Sequence, residues 1–177
     1  ALLAPSLAPP PAQTKWFKKL QFNSTFAGNF PWRTLYRNLY ASFLLPRDRQ
    51  NFLKLLNRAL FTGSYMGNLC PRCKASILHL THFPTCHTLQ PIFTLAFSLI
   101  SKIEGINFQP TTGLPQDPSR ALPRLAPAIL GFRWHGQFYS GKVTILSPPS
   151  LAILALAWDA AYRLTARQSV EREKRLR

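Results

Sequence analysis

The chain has 177 residues, 46% of them hydrophobic, with 22 Lys and Arg against 6 Asp and Glu and a net charge of +16. That length and apolar content predict one domain with tails and exclude a wholly disordered basic segment. The charge excess points to polyanionic partners, phosphate backbones first and an anionic membrane surface second.

Residues 1–14 read as an extended Ala/Pro tail, because Pro5, Pro9, Pro10 and Pro11 disfavour helix and favour polyproline geometry. This uncharged opening, starting at Ala1, fits a processed protein whose targeting segment has been removed on import into an organelle. From Lys15 to Tyr40, the cations Lys15, Lys18, Lys19, Arg33 and Arg37 are interleaved with aromatic residues, among them Trp16, Phe17, Phe30 and Trp32. Cations can pair with phosphates while aromatic faces stack on unpaired bases, so these five cations are candidate nucleic-acid contacts. Within that stretch a helix is predicted from about Pro31, with Leu35, Leu39 and Phe43 facing the core. A second helix is predicted over Asp48–Phe61, where Phe52, Leu55, Leu56, Ala59 and Leu60 form one stripe and Thr62, Gly63 and Ser64 end it.

All three cysteines follow within seventeen positions, as Cys70, Cys73 and Cys86, together with His79, His82 and His87. Beyond them, Leu89–Ile103 is apolar on nearly every side, which places it centrally in a core or against a partner. Residues 105–128 hold five prolines and read as a connecting segment. Residues 129–147 carry turn signals at Gly136 and Ser140-Gly141 between aromatic and β-branched runs, predicting a β-hairpin in which His135 is an ordinary polar residue. A last helix is predicted over 148–177, capped by Ser147 or Ser150. Leu151, Leu154, Trp158 and Ala161 share one face of it, and Asp159 is spaced to pair with Arg163. Its basic end offers Arg167, Arg172, Lys174, Arg175 and Arg177 as further nucleic-acid contacts. No run reaches eighteen uncharged apolar residues, so no segment is long enough to span a bilayer unaided.

The six acids, Asp48, Glu104, Asp117, Asp159, Glu171 and Glu173, are scattered, whereas two-metal phosphoryl transfer needs clustered carboxylates. None of the eight glycines belongs to a phosphate loop. No catalytic residue is assigned. The strongest chemical signal is instead Cys70-x2-Cys73 followed by His82 and Cys86, a spacing suited to one closed, structural Zn2+ site. Thiolates are soft and imidazole suits zinc. His79 or His87 lies close enough to replace His82, and clustered thiols of this kind imply a reducing compartment.

The run Asn51–Gly63, the Cys-Pro-Arg-Cys turn at 70–73, and the closing His82 and Cys86 resemble the zinc-binding domain that follows the polymerase in non-LTR retrotransposon reverse transcriptases. The likeness covers about residues 32–100 and runs through Arg58, Ala59, Leu60, Phe61, Thr62 and Gly63. It implies Cys70, Cys73, His82 and Cys86 as the ligand set, and a zinc module reused apart from its polymerase to bind RNA or protein.

The expected architecture is mainly α, with a small zinc knuckle, a short β-hairpin and extended N-terminal and Pro-rich segments. Residues 15–104 would form the helical zinc-binding domain and 148–177 the C-terminal helix. In composition and layout the chain resembles accessory proteins of organelle ribosomes. The expected function is therefore a non-catalytic, zinc-stabilised structural component of an organelle ribosome, in the mitochondrial matrix, contacting ribosomal RNA and neighbouring ribosomal proteins with no small-molecule substrate. Two alternatives accompany it: a stand-alone nucleic-acid-binding zinc module derived from a retrotransposon reverse transcriptase, and an accessory subunit of an organelle membrane complex.

Overall fold

Residues 150–158 are apolar around most of the helix circumference, and such a helix is stable in water only when other elements cover it. In the computed structural model, which describes residues 11–20, 29–57, 67–135 and 142–165, this helix is the central one. The described elements are α1 (Pro11–Leu20), α2 (Trp32–Tyr40), α3 (Pro46–Leu56), α4 (Gln90–Glu104), α5 (Pro118–Arg124), α6 (Ala126–Leu130), β1 (Phe132–His135), β2 (Lys142–Ile145) and α7 (Pro148–Leu164). The architecture is mainly helical with one two-stranded antiparallel sheet. α2, α3 and α4 all pack on α7, whose Leu151, Leu154, Trp158 and Ala161 are buried.

Trp158 sits at the centre of that packing. Its ring lies 5.1 Å from Phe93 of α4 and 5.8 Å from Phe83 of the cysteine-rich segment, and its indole N–H donates to the carbonyl of Ala128 in α6 at 2.9 Å. At the end of α6, Gly131 takes φ 63°, and a Cβ there would collide with the Leu151 side chain. The left-handed turn therefore favours glycine, and any larger residue would also have to displace the Leu151 methyl group. The chain then enters β1, which pairs with β2 in the register Phe132–Ile145, Arg133–Thr144, Trp134–Val143 and His135–Lys142.

Several expectations change in the folded chain. Pro11 opens helix α1 inside the segment expected to be extended, since proline is well tolerated in a first helical turn. Trp16, Phe17, Phe30 and Trp32 are buried, so they build the core and are not base-stacking platforms. The Trp16 indole N–H instead caps the end of α3, donating to the carbonyls of Leu55 and Leu56 at 3.2 and 2.9 Å. Helix α2 stops at Tyr40, which throws Phe43 out of register with Leu35 and Leu39 and leaves it 72% exposed. Helix α3 starts at Pro46 and is capped by Asn57, while Arg58 to Ser64 lie outside the described residues.

The Pro-rich connector contains α5 and runs into α6. Asp117 caps α5 by accepting from the Ser119 N–H at 3.1 Å, and Leu122, Leu125 and Ile129 are buried. Burial of that apolar face overrides the prolines. Helix α4 is neither wholly central nor wholly covered: Phe93, Ala96, Phe97 and Ile100 are buried, whereas Leu95 and Ile103 are exposed. Asp159 does pair with Arg163, at 2.9 Å, and also accepts from the Asn51 amide at 2.6 Å. The basic residues Arg167 to Arg177 and the hairpin turn at 136–141 lie outside the described residues.

Ser147 precedes α7, but its hydroxyl does not cap that helix. Glu104, at the end of α4, does so from outside: its Oε1 accepts from the Ser147 N–H at 2.9 Å and from the hydroxyls of Ser147 and Ser150 at 2.7 Å each. Partial burial pushes the Glu104 carboxyl up, but the two hydroxyls, the Ser147 N–H and the Arg133 charge outweigh it and hold the carboxyl below its ordinary value.

Two outcomes are expected from this packing. Trp158→Ala should destabilise the chain by about 3–5 kcal/mol in urea denaturation, because a large buried ring and a hydrogen bond are lost together. The Glu104 carboxylate contributes stability that is complete above the ordinary glutamate pKa and lost as pH falls through its lowered folded-state value. The stability difference between wild type and Glu104→Gln should accordingly be largest near neutrality and shrink below about pH 4.

Candidate metal centre

The first two ligands come from a tight β-turn-like knuckle. Leu69 and Ile77 form an isolated antiparallel bridge, with the Cys70 N–H donating to the Ser76 carbonyl at 2.8 Å and the Leu78 N–H to the Asn68 carbonyl at 3.0 Å. Between these strands the chain reverses through Lys74, which adopts φ 58° and donates its N–H to the Cys70 carbonyl at 2.9 Å. A left-handed lysine is disfavoured by about 1–2 kcal/mol, so the surrounding turn must hold it. The reversal aims backbone N–H groups at sulfur: those of Cys73 and Arg72 at Cys70, and those of Ala75 and Ser76 at Cys73.

The other two ligands come from a helical turn that leads into α4. The Cys86 N–H donates to the His82 carbonyl at 2.8 Å, which puts the two side chains on one face. The Leu89 and Gln90 N–H groups both donate to the Cys86 carbonyl, at 3.0 and 2.7 Å. Thr85 returns its hydroxyl to the Thr81 carbonyl at 3.0 Å.

Together these turns bring Cys70 Sγ, Cys73 Sγ, Cys86 Sγ and one nitrogen of His82 within 4.8 Å of one another. The set could hold one metal ion. Cys70 and Cys86 Sγ stand 3.9 Å apart, and Cys73 Sγ stands 3.4 Å from His82 Nε2. In a tetrahedral site with three sulfurs and a nitrogen, the corresponding edges are about 3.8 Å and about 3.5 Å. The separations fit a shared ion, and all three thiols are free of disulfide.

The electrostatics of Cys73 and His82 favour the metal-binding forms, whereas that of Cys70 opposes the thiolate. Burial pushes the Cys70 thiol up, against the N–H groups of Cys73 and Arg72 that oppose it. Burial also raises Cys73, but the N–H groups of Ala75 and Ser76 and the neighbouring thiols outweigh it, so this thiol is lowered. His82 is lowered by burial first, then by the charges of His79 and His87, which favours the neutral imidazole that a metal requires. All four expected ligands therefore meet. His82, and neither His79 nor His87, completes the set.

Neither protein families, curated proteins nor solved structures give a match to this chain.

The remaining candidate contacts lie apart from the metal. Lys15, Lys18 and Lys19 are exposed on α1, and Arg33 and Arg37 are exposed on α2. The two helices abut through Phe17, whose ring lies 5.6 Å from Phe30 and 6.0 Å from Trp32. Arg167, Arg172, Lys174, Arg175 and Arg177 lie outside the described residues.

Two residues that sequence reasoning missed fix the centre to the body. Arg72, inside the Cys-Pro-Arg-Cys turn, donates its Nε–H to the Leu164 carbonyl at the end of α7 at 2.7 Å, where a cation also suits the helix dipole. Phe83, next to ligand His82, is fully buried against Trp158. The only sequence signal was an aromatic residue beside a ligand, which does not name its partner.

Metal analysis of the purified chain is expected to find one bound ion per molecule. Cys73→Ser should abolish stoichiometric binding, and with it the hydrogen-exchange protection of the Cys70, Leu78 and Cys86 amides, because the binding energy of such a segment is its folding energy. Full retention of that protection without metal would contradict the assignment.

Proposed function

We propose that this chain is a non-catalytic RNA-binding structural protein whose cysteine-rich segment is held by one Zn2+. Three thiolates and an imidazole, with no ligand position left open, suit zinc in a structural role. The observation that carries the RNA reading is the exposed cations of α1 and α2. Among the described residues each acid is engaged elsewhere: Asp48 with Arg47, Glu104 with Ser147 and Ser150, Asp117 at the cap of α5, and Asp159 with Arg163 and Asn51. Lys15, Lys18, Lys19, Arg33 and Arg37 are thus exposed with no ion pair to an acid among the described residues, which supports an external anion as their partner.

The setting we favour is a ribonucleoprotein of the organelle-ribosome kind, in the mitochondrial matrix, where such a protein contacts ribosomal RNA and adjoining proteins. A +16 charge is stable there because phosphates surround it. A second reading, a stand-alone nucleic-acid-binding module derived from a retrotransposon reverse transcriptase, is supported by the order of helix α3, knuckle, His82–Cys86 turn and helix α4. The membrane-complex reading needed both long apolar helices free for partner helices. α7 is covered from within the chain, and no described helix is long and apolar enough to cross a membrane.

Affinity for single-stranded RNA should fall with salt at a log–log slope of about −0.7 per neutralised phosphate. Lys15→Ala, Lys18→Ala, Lys19→Ala, Arg33→Ala and Arg37→Ala should each flatten that slope, measured by anisotropy from low to high salt. A slope indifferent to all five would overturn the interface. Sedimentation of the native protein with and without ribonuclease separates the settings: a ribosomal component travels with a large particle and is released by the nuclease, whereas a stand-alone module stays small in both.

A further inference from the structure

A concavity of about 330 Å³, lined by none of the four candidate metal ligands, lies between the segment that leaves α4 and strand β1. That volume is at the lower end of small-ligand pockets, suited to one flat ring system. Its floor includes the buried rings of Phe108 and Phe132, with Trp134 edge-on to Phe132 at a centroid distance of 5.0 Å. Its rim carries Asn107, Gln109, Arg133 and His135.

We propose that this pocket takes an unpaired base of single-stranded RNA, with the attached phosphate at Arg133. The inference rests on the RNA-binding reading above and names a site that the basic helices do not supply. Asn107 and Gln109 flank buried Phe108 and are both exposed, so their amides stand on the solvent side of the same short segment. Each amide offers donors and an acceptor, the mixture a base edge requires. Within the described residues neither side-chain amide is used elsewhere.

The Arg133 Nε–H donates to His135 Nε2 at 3.0 Å, and the Thr144 hydroxyl lies 2.8 Å from the same nitrogen. Guanidinium can only donate, so His135 Nε2 is the acceptor of that bond. That hydrogen bond fixes the guanidinium through Nε and leaves its terminal N–H groups for a phosphate. Glu104 lies close enough to Arg133 to share its field, but the Glu104 Oε1 is committed to Ser147 and Ser150. A proline-rich peptide would use the aromatic floor and leave both amides and the guanidinium unmatched, which disfavours it as the occupant.

The test compares a short single-stranded RNA with an oligonucleotide of equal length and charge in which every position is abasic. Both are titrated against the full-length, metal-loaded chain by fluorescence anisotropy. The abasic strand should bind about tenfold more weakly, the scale of one base stacked on an aromatic ring. Trp134→Ala, and separately Asn107→Ala combined with Gln109→Ala, should reduce RNA to the abasic level while leaving the salt slope unchanged. If Trp134→Ala loses helicity or metal, the double amide variant decides, because those side chains are exposed and leave the core untouched. Equal affinity for the two strands, or variants that keep the full base preference, would overturn the pocket. A steep salt slope without base preference sinks the pocket and leaves the basic interface standing, whereas a flat slope sinks both. Competition by a proline-rich peptide but not by adenosine monophosphate would also refute it.

Discussion

The fold depends on the contacts of one side chain, Trp158. Its ring touches Phe93 on α4 and Phe83 beside the candidate ligand His82, while its indole N–H is satisfied by the Ala128 carbonyl of α6. Three segments distant in sequence are thus fixed to α7 at one point. An indole suits that role because it combines a large apolar area with one directional donor. Around it, aromatic packing continues from Phe93 to Phe97 and on to Phe108, which leads the chain out of α4 and toward the hairpin.

The metal centre and this core support each other. The knuckle is short and its turn holds a lysine in a left-handed conformation, so by itself it buries too little apolar surface to be stable. Phe83 and Cys86 of the neighbouring helical turn are buried, and Arg72 ties the knuckle to the end of α7. Metal would therefore stabilise more than a local loop, because closing the four ligands also seats Phe83 on Trp158. In the other direction, Glu104 holds the start of α7, so both ends of that helix are satisfied by groups from elsewhere in the chain.

Charge is distributed by the same economy of acids. Of six carboxylates in 177 residues, Glu104, Asp117 and Asp159 accept from backbone or polar side-chain donors, Asp48 and Asp159 pair with Arg47 and Arg163, and among the described residues none pairs with the cations of α1 and α2. A cationic surface on α1 and α2 is the direct consequence, and it points toward a polyanion without requiring a cleft. The base pocket adds a different kind of recognition, because flat rings and amides discriminate between a base and a bare backbone whereas lysines do not.

Local chemistry was legible in the sequence wherever the interacting groups are near in the chain. The Cys-x2-Cys turn, the one-turn spacing of His82 and Cys86, the Asp159–Arg163 pair and the apolar faces of α3 and α7 follow from short-range periodicity and ligand chemistry. Four of the predicted ligands meet because each half-site is a local turn. Long-range burial decided the rest. Whether Trp16 stacks on bases or fills the core depends on the end of α3, some forty residues away, where the Trp16 N–H finds its acceptors. The helices hidden in the Pro-rich stretch form because Leu122, Leu125 and Ile129 find apolar neighbours, a gain that no local propensity records. The meeting of residues 106–110 with β1, which creates the proposed base pocket, is likewise a product of packing. Sequence specifies which groups attract within a few turns of chain, and only the assembled core determines which distant surfaces remain to be used.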